Sequence, residues 1–302
     1  MTKILISGGS GFLGSHLIPY LQSKDHDVSI LSRKIQPDTP TFLWDIEKQT
    51  IDPAAFHETE AIIHLAGSGI ASGRWTLDYK KEILNSRTQS AYLLYRELKK
   101  NPGHKVKTLI AASAIGYYGD PGNQWVDENF KGADDFMGRV CSEWEKSTSR
   151  FAELGIRVII LRIGLVLAPD GGVLPAISTP IRYCIGAPLG NGKQYMSWIH
   201  INDLIRMIAF VLYEDKTNGI YNAVSPEPVM HNEFMKMLGI ALNRPIWPFH
   251  IPEFILKTIL GEKAVIVLNG QRVSSEKIRM AGFNFLHTDL KNSLIELTEK
   301  KS

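Results

Sequence analysis

The stretch LISGGSGFLGSHL, residues 5–17, limits what this chain can fold into more than any other. Gly8, Gly11 and Gly14 recur at three-residue steps between a β-rich apolar run, KILIS, and a segment whose Leu13, Leu17, Ile18 and Leu21 share one helical face. A strand, a glycine turn and a helix, in that order, make the phosphate-holding unit of dinucleotide-binding folds. One glycine permits the tight turn, one lets the backbone approach a pyrophosphate, and one lets helix and strand pack closely. The helix then offers free N–H groups and the positive end of its dipole to the phosphates.

The rest of the first half keeps the same rhythm. DVSILSR, TFLWD, AIIHLAG, KTLIAASA and RVIILRIGLVL read as strands, the last with continuous burial. Helical segments stand between them, from Leu77 to Lys100 and over ADDFMGRVCSEWEKSTSRFAEL, which Gly155 ends. Buried runs alternating with amphipathic helices predict an α/β, Rossmann-type, doubly wound parallel sheet. After about residue 168 Gly and Pro become frequent, as in APDGGVLPAISTP and NRPIWPFHIPE. The expected division is therefore 1–168 for the nucleotide domain, to which later segments return, and 169–302 for a smaller substrate-side lobe with long loops.

Arg33 lies nineteen positions after Gly14, where NAD-binding folds place an acidic residue on the ribose 2′-hydroxyl. The strand instead ends ILSRK. Ser32 offers a hydroxyl and Arg33 a fork of donors to a 2′-phosphate, so NADP(H) is the expected cofactor.

Composition narrows the remaining classes. The 302 residues are 44% hydrophobic and 22% charged, with a formal net charge of +3. That charge is too small over this length to point to a nucleic-acid or membrane partner. No apolar run approaches the ~18 residues of a membrane span, and MTKILISGG lacks the pattern of a signal peptide. The two cysteines, Cys141 and Cys184, have no metal spacing. The expectation is a cytoplasmic protein without a structural metal, a monomer or a homodimer.

These features resemble the extended short-chain dehydrogenase/reductase superfamily. WDIE at Asp45 and Ile46 is similar to its adenine-side pair, HLAG at 64–67 to its cofactor wall, and QYMSWIHINDL to the segment before its Asp, here Asp203. More narrowly, RW at 74–75, KEILNSR at 81–87, FMGRVCSEWE at 136–145, GNGKQYMSWIHINDL and LNGQRVSSEKIRMAGFNF at 268–285 resemble the sugar-nucleotide-epimerase-like group of atypical members. That group carries a short C-terminal domain of unknown function, here about 250–300. The resemblance implies cofactor contacts from Gly8, Gly11, Phe12 and Leu13, from Ser32 and Arg33 at the 2′-phosphate, and from Leu65, Ala66 and Gly67. It adds Glu82 and Arg87 on the KEILNSR helix and Val166 near the nicotinamide.

The superfamily's proton chemistry uses a Tyr with a Lys four residues on, and a Ser or Thr on the preceding strand. Ser113 supplies the last of these. The helix that follows aligns Phe136 and Val140 with the dyad, and one-residue slips give no phenol and amine. Tyr20 with Lys24 and Tyr95 with Lys99 have the spacing but fall on earlier helices. Tyr117 and Tyr118, at the end of the Ser113 strand, are the replacements to consider, and Ser113 with Tyr118 is the expected catalytic pair. Cys141 reads as a buried small residue, His200 as a structural partner, and Asp127 and Glu128 as solvated loop carboxylates. Two functions follow. One is an NADP(H)-binding epimerase-like oxidoreductase acting on a small-molecule, sugar-nucleotide-like substrate. The other is a non-catalytic NADP(H)-binding regulator, which relatives in photosynthetic organisms link to division.

Overall fold

The computed structural model describes residues 1–299. In chain order the nucleotide half runs β1 (Lys3–Ser7), α1 (Phe12–Gln22), β2 (Asp27–Ser32), β3 (Thr41–Asp45), β4 (Thr50–Ile51), β5 (Ala61–His64), α2 (Leu77–Lys100), β6 (Thr108–Ala114), β7 (Trp125–Val126), α3 (Phe136–Ser149) and β8 (Arg157–Ile163). The chain continues through β9 (Leu165–Leu167), α4 (Leu174–Arg182), β10 (Tyr195–Met196), β11 (Trp198–His200), α5 (Ile201–Tyr213), β12 (Gly219–Ala223), β13 (Val229–Met230) and α6 (His231–Ala241). It closes with α7 (Glu253–Leu260), α8 (Ala264–Leu268), β14 (Arg272–Val273), α9 (Glu276–Met280) and α10 (Leu290–Thr298).

Eight strands form the main sheet in the order β12-β8-β6-β5-β1-β2-β3-β4, parallel except for the β3–β4 edge. The sheet is Rossmann-like. Strand order reverses between β1 and β5, and such a switch point opens a crevice at the carboxyl ends of the strands. Helices α1 and α5 bury Leu17, Leu21, Met207, Ile208 and Val211 on one face. On the other, α2 contributes Leu93, Leu94 and Leu98. Both faces are covered, which explains why β1, β5 and β8 read as unbroken apolar runs rather than alternating ones.

The run RVIILRIGLVL does not form one strand. β8 stays in the main sheet, whereas β9 leaves it and pairs in parallel with β11. β12, from the Gly- and Pro-rich half, returns to the main sheet beside β8. A second core forms where α4, α6 and α10 meet, around Leu174, Ile181, Phe234, Leu238, Leu290 and Leu294, with Trp198 fully buried. The two halves are also stitched by a parallel β7–β14 pair.

Candidate functional site

At the carboxyl end of β1 the turn is built so that its backbone is the surface. Gly8 has φ +75°, and a Cβ there would lie 2.8 Å from Ala66 N. Gly14 is pressed against the turn so closely that a Cβ would sit 2.1 Å from the Gly9 carbonyl oxygen. Gly11 is the N-cap of α1 and donates to Gly8 O at 3.0 Å, and no side chain caps the helix. The N–H groups of Phe12 and Leu13 in the first turn therefore have no intrahelical acceptor. Phe12 packs against the loop after β9, where a Cβ on Gly171 would meet its ring at 2.2 Å. His16 bonds Asp170 in that loop at 3.0 Å.

The other expected contacts gather around the same turn. Leu65 N–H donates to Ser7 O at 2.9 Å. Gly67 lies against Arg87, whose Nη1 donates to Ser68 O at 3.0 Å, and Ser68 Oγ donates to Glu82 Oε1 at 2.9 Å. Arg87 also lies 4.9 Å from the Trp144 ring centre. Glu82 and Arg87 thus fasten the β5–α2 connection. Beneath them His64 is fully buried between Ser7 Oγ and Ser90 Oγ, and burial pushes its pKa down to about 4, so it stays neutral. Val166 is buried and accepts from Val173 N–H at 3.1 Å. Ser32 ends β2, one residue beyond Leu31, the register partner of Ser7. Its Oγ accepts from Lys34 N–H at 3.2 Å, so its own proton is free to donate, and Arg33 is exposed. A turn with bare N–H groups, room only for glycine, and a serine–arginine pair at the second strand's end fit a 2′-phosphorylated dinucleotide.

The corner expected to move protons is built differently. Ser113, 2% exposed, donates to Glu145 Oε1 at 2.7 Å. Glu145 is held by Arg162 through two bonds of 2.8 Å. Arg162 Nη1 donates to the Tyr118 oxygen at 3.0 Å, and Tyr118 donates to Asn222 Oδ1 at 2.6 Å. Asn222 Nδ2 donates to Ser274 O at 3.0 Å. Burial opposes the Arg162 charge, but the Glu145 carboxylate more than restores it and raises its pKa. Tyr118 is 3% exposed, and burial pushes its pKa up to about 12 despite Arg162. Ser113, the expected oxygen-holder, and Tyr118, the expected acid/base, both lie within this buried line. Their hydrogens are spent on Glu145 and Asn222, and neither side chain reaches the surface. Tyr117 lies across Arg162, its ring centre 3.5 Å from the guanidinium carbon.

Phe136 opens α3 edge-on to Trp75 at 5.0 Å, and Val140 is buried in the same apolar group with Ile83, Tyr79 and Val265. Cys141 is buried and free, and burial followed by Glu145 raises its thiol to about 12. Glu145 and Arg162 escaped the sequence reading, although an arginine inside the apolar run RVIILRIG is itself a demand for a buried acid.

One grouping among the described residues has metal-ligand spacing: His200, His287 and Glu296, with ligand atoms within 4.8 Å. His200 Nδ1 accepts from Asn202 N–H at 3.1 Å, which puts the neutral ring's proton on Nε2. Burial, then His287, lowers its pKa to about 4. The two rings stack at 3.7 Å and 6°, so one ion cannot lie in the plane of both. As placed, the stack caps α5.

The chain belongs to the NAD dependent epimerase/dehydratase family, whose model matches residues 4–223, and residues 251–297 match a domain of unknown function, DUF1731. It is 34% identical over 300 residues to the epimerase family protein ML0860 of Mycobacterium leprae, covering 99% of this chain and 96% of that one. It is 35% identical over 305 residues to the epimerase family protein SAB0724c of Staphylococcus aureus, covering 99% and 100%. Among solved structures it is similar to the human epimerase family protein SDR39U1 (isoform 2), solved with NADPH. That match has 29% identity, a TM-score of 0.90, and covers 99% of this chain and 100% of that one. Thermus thermophilus UDP-glucose 4-epimerase, at 18% identity and TM-score 0.77 over 98% of each chain, shares the fold. No helix among the described residues is long and apolar enough to cross a membrane.

Proposed function

We propose that this chain is an NADP(H)-binding oxidoreductase or epimerase of its family that works without a tyrosine–lysine dyad. The observation that carries the cofactor is the free Ser32 hydroxyl followed by the exposed Arg33, at the strand end where a carboxylate would select NAD. Phe12 and Leu13 would offer main-chain N–H groups to the pyrophosphate, with Gly8 and Gly11 letting the backbone come close to it. Leu65, Ala66 and Gly67 form the wall beside it, kept in place by Glu82 and Arg87. Val166 would stand near the nicotinamide, as the resemblance implies. When bound, the nicotinamide gives or takes a hydride. The positions that the resemblance aligns with the dyad hold Phe136 and Val140, packed with Trp75, and these side chains exchange no protons. The substrate is a small carbonyl or alcohol compound, sugar-nucleotide-like if this chain follows its family. The setting is cytoplasmic.

A second reading is favoured by the sealed Ser113–Glu145–Arg162–Tyr118–Asn222 chain. In it the protein holds NADP(H) without turnover, and its occupied shape is read by a partner, as in the control of division. One experiment separates the two. Titrate NADPH and NADH by nicotinamide fluorescence, then add a panel of carbonyl substrates, UDP-glucose among them, and follow absorbance. NADPH should bind more tightly than NADH, and Arg33→Glu should weaken NADPH by about 10- to 100-fold, the size of one or two charge-assisted bonds. Oxidation of NADPH supports the enzyme, whereas tight binding without oxidation supports the regulator. Equal affinity of wild type and Arg33→Glu for NADPH would overturn both.

A further inference from the structure

The arginines that are buried or half-buried in this chain have acceptors, with one exception. Arg87, Arg96, Arg157, Arg162 and Arg206 each donate to carbonyls or carboxylates. Arg272, half-buried on β14, has neither a hydrogen bond nor an ion pair among the described residues, and its Nε–H is cut off from water without an acceptor. Its guanidinium carbon sits 4.3 Å from the ring centre of Trp125 and 5.1 Å from that of Tyr195. The strand beneath it is fixed. Arg272 is in register with Trp125, Val273 N–H donates to Ser197 Oγ at 3.0 Å, and Ser197 Oγ donates to Gln271 O at 2.7 Å. Gln271, the preceding side chain, reaches across to Gly119 O. Trp125 is half exposed, so one edge of this assembly faces water.

A guanidinium gripped by aromatic rings has lost rotamer freedom while its donors remain unspent. The rings satisfy its charge in part but accept none of its N–H groups. The Nε–H is shut off from water but the two terminal Nη groups are not, so the ligand that completes this guanidinium is planar or tetrahedral, anionic, and meets those groups with two oxygens. We propose that Arg272, Trp125 and Tyr195 form an oxyanion-binding site on the seam between β7 and β14, taking a carboxylate or a phosphate group. It is built from the region of the chain that matches the domain of unknown function and from the nucleotide half together.

The test uses the full chain in a buffer free of phosphate and carboxylate. Inorganic phosphate, pyrophosphate and succinate are titrated separately, followed by calorimetry and by tryptophan fluorescence, with Trp125→Phe identifying the reporting ring. At least one of the three should bind saturably with a signal that Trp125→Phe removes. Arg272→Gln should weaken it by about tenfold or more, and Arg272→Lys, which keeps the charge but not the fork, should fall between. Which arm binds more tightly assigns phosphate or carboxylate. Should Arg272→Gln fail to melt cooperatively, the Arg272→Lys titration decides alone. Absence of saturable binding to all three anions, or binding that neither substitution at Arg272 weakens, overturns the site.

Discussion

The carboxyl ends of β1 and β6, separated in the sheet by β5 alone, handle polar groups in opposite ways. At the end of β1 the first-turn N–H groups of α1 have no caps, and at the end of the adjacent β2 Ser32 keeps its proton and Arg33 stands in water. At the end of β6, Ser113, Glu145, Arg162, Tyr118 and Asn222 satisfy one another in a closed, buried line. Donors left unmatched are those that wait for a ligand, and donors matched inside the protein serve the fold. Through Tyr118 and Asn222 that line also joins the two halves of the chain.

The sharpest way to break that contrast is Glu145→Ala. It leaves Arg162 buried and unpaired, and urea unfolding should show a loss of about 3–5 kcal/mol. The double replacement Glu145→Met with Arg162→Met should recover most of that loss, because the desolvation of both charges disappears with them. A single variant within 1 kcal/mol of wild type, on the order of an exposed pair, would mean the line is not the closed structural element described.

Acid offers the next largest effect. His64 and His200 are held neutral by burial, at about 4 against the ordinary 6.5 of an imidazole. Between those values the unfolded chain binds more protons than the folded one, so stability is fully present above pH 6.5 and falls as pH drops toward 4. The expected slope is about 1.4 kcal/mol per pH unit for each histidine. Melting temperatures recorded from pH 7.5 to 4.5 check this, and a flat profile there would show that one or both rings are already charged.

Tyr118→Phe sharpens the comparison with the smallest change. Removing the hydroxyl leaves Asn222 Oδ1 without its donor, at a cost of about 1–2 kcal/mol in stability. NADPH affinity should not move. If wild type oxidises NADPH with a substrate and a folded Tyr118→Phe protein does not, the phenol meets that substrate and the buried line opens in solution.

Much of the nucleotide end was legible because its signals are local. The glycine spacing, the strand before it and the helical face after it lie within about twenty residues, and Ser32 and Arg33 stand one strand further on. α2 follows the expected Leu77–Lys100 span. The buried line was hidden because its bonds join residues far apart, with Tyr118 and Asn222 separated by 104 positions. Proximity of that kind is set by sheet order, which periodicity does not encode. The departure of β9 from β8 was invisible for a related reason: the apolar run is continuous, and only the partner strand β11, thirty-three residues on, says where it divides. Arg272 drew attention in the sequence as part of a motif, but its lack of an acceptor is a property of the surrounding fold.

Asp203 shows how late this molecule is finished. Its carboxylate, wholly buried, accepts the N–H groups of Leu286 and His287 as well as Arg206 Nη1. All eight strands of the main sheet have left the ribosome by residue 223, yet the first turn of α5 is not complete until more than sixty further residues have emerged. A nascent chain halted in that interval displays an assembled sheet beside a carboxylate that Arg206 alone answers.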